Sequence, residues 1–141
     1  MRHFQALTDI EFERLISDLL RAQTGNLHER FGVGPDGGID LRFVDLEQGV
    51  VEIAQCKHYT KSSFSKLLSA AREEVPKLEA MDPPPTGYRF ITSQSLTPNR
   101  KEKLVEALDG WIEEPGRIWG AETLEDVLNE HADEVERRHV K

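Results

Sequence analysis

An aspartate, a glutamine and a lysine, Asp40, Gln55 and Lys57, stand near the middle of the chain at a spacing that two adjacent extended segments could bring together. An acid, an amide and an ammonium group in one place suit phosphodiester hydrolysis. That reaction needs a cation to stabilise charge on the phosphate and a group that positions or deprotonates the attacking water. Magnesium takes oxygen ligands and keeps several of its waters, so the Asp40 carboxylate, the Gln55 amide oxygen and the Cys56 backbone carbonyl are adequate protein ligands. Lys57 beside the ion orients the water or offsets developing negative charge. Glu13 borders an apolar stripe with Ile16 and Leu20, from which it can lean toward the same centre and act on the ion through a water.

The elements that must position these groups are legible in outline. Thr8 with Glu11 three positions later reads as a capping box, and Phe12, Leu15, Ile16, Leu19 and Leu20 recur with helical period up to about Gly25. The glycine-rich stretch from Gly32 to Gly38 delivers the chain into Ile39 to Val44, an alternating strand, and a turn from Asp45 to Gly49 leads to a second strand, Val50 to Lys57. Folded about Glu47 and Gln48, the pair sets Asp40 opposite Gln55. Asp40, Gln55 and Lys57 then share one face, and Ile39, Leu41, Ala54 and Cys56 take the apolar one. Ser62 or Ser63 caps a second helix with Phe64, Leu67, Leu68, Ala71 and Val75 on one stripe, ended or kinked at Pro76. Tyr88 to Thr92 reads as a buried strand, Thr97-Pro98 opens a helix through Leu104, Leu108 and Trp111, Arg117 to Trp119 as a short strand, and Leu124, Val127, Leu128 and Val135 as a last acidic helix. This order predicts an α/β layer with a mixed sheet, antiparallel at the hairpin and parallel where helices cross over.

Composition bounds the rest. With 141 residues, 38% of them hydrophobic, the chain is the size of one domain, and its single cysteine excludes an internal disulfide framework. No signal peptide or long apolar run is visible, so a cytoplasmic protein without a membrane partner is expected. A formal charge of -8 excludes a protein that coats nucleic acid through overall positive potential. Lys61, Lys66, Arg72 and Lys77 nevertheless follow the candidate site, either as DNA-backbone contacts or as a solvated helix face. Cys56 reads as a small core residue, His58 as structural, and the other histidines lack the spacing of a zinc site. Gly34 to Gly38 has no Gly-Lys-Ser/Thr ending and precedes a strand, which excludes a P-loop.

Phe12-Glu13, Asp36-Gly37-Gly38-Ile39-Asp40-Leu41 and Gln55-Cys56-Lys57 together resemble the signature of the Mrr-like branch of the PD-(D/E)xK restriction endonuclease superfamily, over roughly Thr8 to Thr92. The resemblance implies a restriction-endonuclease-like core, a mixed β-sheet flanked by helices on both faces. It implies a deoxyribonuclease that cleaves double-stranded DNA with Mg2+ (or Mn2+), in which Asp40 and Gln55 bind the metal, Lys57 serves the water and Glu13 assists. Gln55 departs from the carboxylate of the wider superfamily, a departure common in the Mrr-like branch, and should weaken the hold on a divalent ion. Asp36 either contacts a water near the metal or shapes the turn, with the turn favoured. The alternative is a nuclease-like module without catalysis that binds DNA or a protein partner. Asp40 and Lys57 are both expected in solvent-accessible space, so alanine at either should remove cleavage and keep the fold.

The segment from Trp119 to Lys141 is similar to the one joining Mrr-like nuclease domains to NTPase modules in bacterial anti-phage STAND proteins of the Avs type. That similarity implies that residues 1–141 are a single nuclease domain at the N-terminus of a longer multidomain protein. The domain would act in anti-phage defence as a dimer or higher oligomer, driven by a C-terminal NTPase region absent from this chain. Cutting both strands also calls for two sites.

Overall fold

A computed structural model describes residues 3–33, 38–59 and 62–132. Asp36, Lys61, Val135 and the chain end from Glu136 to Lys141 lie outside those residues. Helix α1 (Asp9–Thr24) begins at the expected capping box: the Thr8 hydroxyl accepts from the Glu11 N–H, and the Glu11 carboxylate accepts from the Thr8 N–H. It closes at Gly25, whose φ of 80° is left-handed and suits a residue without Cβ. Phe12, Leu15, Ile16, Leu19 and Leu20 are its buried face.

Strand β1 (Glu29–Val33) follows, where sequence patterning gave no strand. Its register against the next strand slips between Arg30 and Gly32, so the side chains do not alternate cleanly and the usual period is lost. Strands β2 (Ile39–Asp45) and β3 (Val50–Lys57) form the expected hairpin, with Asp40 opposite Gln55 and Ile39 opposite Cys56. Helix α2 (Phe64–Glu79) is capped by the Ser63 hydroxyl. Pro76 does not end it. The proline removes one helical bond at an exposed position, where water can serve the freed carbonyl, and the helix continues for another turn.

Strand β4 (Gly87–Thr92) runs parallel to β3. Helix α3 (Pro98–Ala107) stops short of Trp111, because Asp109 and Gly110 take positive φ angles of 47° and 90°. Strand β5 (Ile118–Trp119) and helix α4 (Ala121–Glu130) complete the described fold. Between them, a Cβ at Gly120 would lie 2.8 Å from Leu96 Cγ, so only glycine lets the two segments approach.

The sheet order is β1-β2-β3-β4-β5, antiparallel across the first three strands and parallel across the last three. On one face α1 and α4 pack over Ile39, Leu41, Ala54, Cys56, Ile91 and Trp119. On the other, α2 and α3 pack over Ile53, Tyr88, Phe90 and Ile118. The mixed sheet with helices on both faces is the architecture expected. The second cover is incomplete, since Phe31 and Val44, toward the β1 edge, remain 67% and 48% exposed. Among the described residues no helix is long and apolar enough to cross a membrane.

Candidate functional site

Strand alternation places Asp40, Gln55 and Lys57 on the α2 side of the sheet. Asp40 and Gln55 are cross-strand partners, and Lys57 lies two residues beyond Gln55. The intervening Cys56 points the other way, into the core under α1, where burial pushes its thiol pKa up, reinforced by the nearby Asp40 and Glu13 charges. It is a core residue, as its apolar face implied. His58 also falls on the α1 side: it stacks on Phe12 with centroids 4.4 Å apart, and its ring nitrogens meet Ser93 Oγ at 2.8 Å and the Leu7 carbonyl at 2.6 Å. These contacts make it structural.

Lys57 differs from expectation. It is 1% exposed, and its Nζ lies 3.6 Å from Oε2 of Glu74 on α2, itself 4% exposed. A second ammonium, from the more exposed Lys77, sits 3.4 Å from the same oxygen. Burying an ammonium at the end of a strand is tolerable only with an anion beside it, and Glu74 supplies one. Lys57 therefore does not project into open solvent. Its backbone is held as well, since the Thr92 hydroxyl donates to the Lys57 carbonyl at 2.8 Å, and Gln94 Nε2 donates to the carbonyls of Tyr59 and Ser62 just beyond.

Asp40 keeps part of its surface open but is engaged by Arg42, whose Nε donates to Oδ1 at 3.1 Å and Nη2 to Oδ2 at 2.8 Å. Gln55 is 6% exposed, and its side-chain amide makes no hydrogen bond to another described residue. Glu13 forms a two-pronged ion pair with Arg30 of β1. Arg30 is opposite Leu41 and so belongs to the α1 side of the sheet, and the charges of Glu13 and Asp40 both act on the buried Cys56 thiol. Lys66 and Arg72 are both exposed on α2, and Lys66 Nζ lies 5.9 Å from the centroid of Tyr59, close to where the chain leaves β3.

Three residues that the sequence reading did not single out belong to this neighbourhood: Arg42, Glu74 and Tyr88. The Tyr88 hydroxyl is buried without a hydrogen-bond partner among the described residues. Desolvation raises its pKa well above the ordinary phenol value, helped by the charges of Glu74 and Asp40. The donor set suits a hard cation: Asp40 and Gln55 offer side-chain oxygens, and Cys56 a backbone one. The Arg42 guanidinium resting on Asp40 already shows that this carboxylate attracts positive charge. Among the described residues no group of three His, Cys, Asp or Glu is gathered to hold a metal, so an ion here would keep much of its water.

A model of the Mrr catalytic family, described as restriction endonuclease, matches residues 4–108. The chain is also 38% identical over 132 residues to "Uncharacterized protein y4cD" of Sinorhizobium fredii (strain NBRC 101917 / NGR234). That alignment covers 94% of this chain but 20% of the relative, so the chain spans about one fifth of that protein's length. No solved structure matches.

Proposed function

Because the chain belongs to the Mrr-type restriction endonuclease family, a family of nucleases acting on DNA, we propose that it is a metal-dependent endonuclease domain for double-stranded DNA with its active centre at Asp40, Gln55 and Lys57. The observation that carries this reading is the register that sets Asp40 against Gln55 with Lys57 on the same face. Asp40, Gln55 and the Cys56 carbonyl hold Mg2+ or Mn2+. The ion, when bound, stabilises charge on the phosphate and favours ionisation of water. Lys57, anchored by Glu74, presents a fixed positive charge beside the scissile phosphate and orients the nucleophile. Glu13 contributes indirectly in this reading, through water or by fixing β1 through Arg30. Lys66 and Arg72 contact the DNA backbone, and Lys61 is assigned the same role from its place in the sequence.

The domain functions as the effector part of a longer protein that assembles into dimers or larger oligomers in anti-phage defence. The short share of the relative's length that it covers supports the first part of that statement. A catalytically silent, DNA- or protein-binding module is the second reading, favoured by Gln55 in place of a carboxylate and by the Arg42 contact on Asp40.

The test is nicking and linearisation of supercoiled plasmid with Mg2+ or Mn2+, by the chain itself and by a version tethered to a dimerising coiled coil. Asp40→Asn, close in shape, should lower the rate by about a thousandfold or more, in the range seen when a preorganised charge is lost from an active centre. Lys57→Met should do likewise, with its melting temperature measured in parallel because Lys57 is buried. Full cleavage by Asp40→Asn would remove the assignment, and binding without cleavage in every format would leave the second reading.

A further inference from the structure

Arg42 occupies both oxygens of Asp40, in the two-pronged geometry that a guanidinium makes with a carboxylate. The two residues are two apart on β2 and share a face, with side chains only 18% and 17% exposed. The guanidinium is also held from another direction, its Cζ 3.7 Å from the ring centroid of Phe31, which is itself 67% exposed. Asp40 is thus neutralised by a neighbour from its own strand. A dication approaching it meets a fixed positive charge as well as a negative one, and the attraction that should bring it in is largely cancelled. A guanidinium has five N–H donors, and Asp40 takes two. The remaining three bond to no other described residue and match the oxygens of a phosphodiester.

We propose that Arg42 makes divalent-ion binding at Asp40 conditional on a nucleic-acid phosphate. The phosphodiester draws the guanidinium away from the carboxylate, and the vacated oxygens then accept the ion. The proposal rests on the reading of Asp40 as a metal ligand. No covalent bond changes; one charge-assisted contact is exchanged for another. Linkage makes the effect reciprocal, so bound ion also strengthens the hold of Arg42 on DNA. Phe31 keeps the guanidinium at the mouth of the site throughout the exchange.

The experiment compares the unaltered chain with Arg42→Met, Arg42→Gln and Asp40→Asn in two titrations, and a melting curve for each identifies the folded variants. In the first, Mn2+ binding is measured without DNA. At least one folded Arg42 variant should bind Mn2+ about tenfold more tightly than the unaltered chain, within the usual span of coupling between sites. In the second, duplex binding is followed by fluorescence anisotropy in EDTA, where no cleavage occurs. The same variant should bind more weakly and lose about one unit from the slope of log affinity against log salt. Equal or weaker Mn2+ binding by the Arg42 variants, with Mn2+ binding lost in Asp40→Asn, would overturn the proposal and leave Asp40 as the ligand. An unchanged metal-free DNA affinity would overturn it too. Mn2+ binding undiminished in Asp40→Asn would instead undo the site assignment beneath it.

Discussion

The two halves of the sheet are built to different rules. Over β3, β4 and β5, helices close both faces, and Phe90, Ile53, Ile91 and Ile118 are shielded almost completely. Over β1 and β2, the α2 side carries Phe31 and Val44 well exposed, together with Arg42 and Asp40. The covered half derives its stability from apolar burial. The open half keeps polar and aromatic groups within reach of a ligand. Gln55 and Lys57 lie on β3, at the seam between the two, and Lys57 has the burial of the first half with the chemistry of the second.

Three substitutions probe this contrast. Phe90→Ala, in the covered half, should cost about 3–5 kcal/mol, the usual loss for emptying a fully buried aromatic position. Urea denaturation measures it, and a loss below about 1 kcal/mol would mean that the closed half is less tightly packed than its burial implies. At the seam, Glu74→Gln leaves the Lys57 ammonium buried beside an amide in place of a carboxylate. We expect about 2 kcal/mol, under the 3–5 kcal/mol typical of a broken buried ion pair because the amide oxygen still accepts. In a Lys57→Met background the same change should cost much less, and an equal cost in both backgrounds would show that the two groups are not coupled. Phe31→Ala, in the open half, should fall within about 0.5 kcal/mol of the unaltered chain, as exposed substitutions do. A large loss there would show that the open face is part of the core.

How far the sequence revealed this arrangement depended on how regular each segment is. The hairpin register was readable because β2 and β3 alternate in opposite senses, so that one register alone buries Ile39, Leu41, Ala54 and Cys56 together. Strand β1 was not, because its slip at Arg30 to Gly32 destroys the period that patterning depends on. The charge on Glu74 concealed its role. It sits on the stripe of Leu67, Ala71 and Leu78, and an acid at a core position of an amphipathic helix was the signal that it answers a buried cation. Arg42 was equally accessible to inspection, two residues from Asp40 on the same strand face. The burial of Lys57 was not accessible, since nothing local in Gln55-Cys56-Lys57 tells that α2 will roof that side chain. Glu13 was read from its place at the edge of the α1 stripe, and its pairing with Arg30 was not legible, because β1 itself was not.

The ligating oxygens assigned to the metal all come from a single tight hairpin, joined by the four-residue turn from Leu46 to Gly49. The ties that steady Lys57 come from much farther along the chain, as with Thr92, which is 35 residues away in sequence. Closing a short loop costs less entropy than closing a long one, so the hairpin can order itself while the parallel strand is still being recruited. The metal-side oxygens are therefore tied together by short-range closure, whereas the contacts that fix Lys57 depend on segments far along the chain.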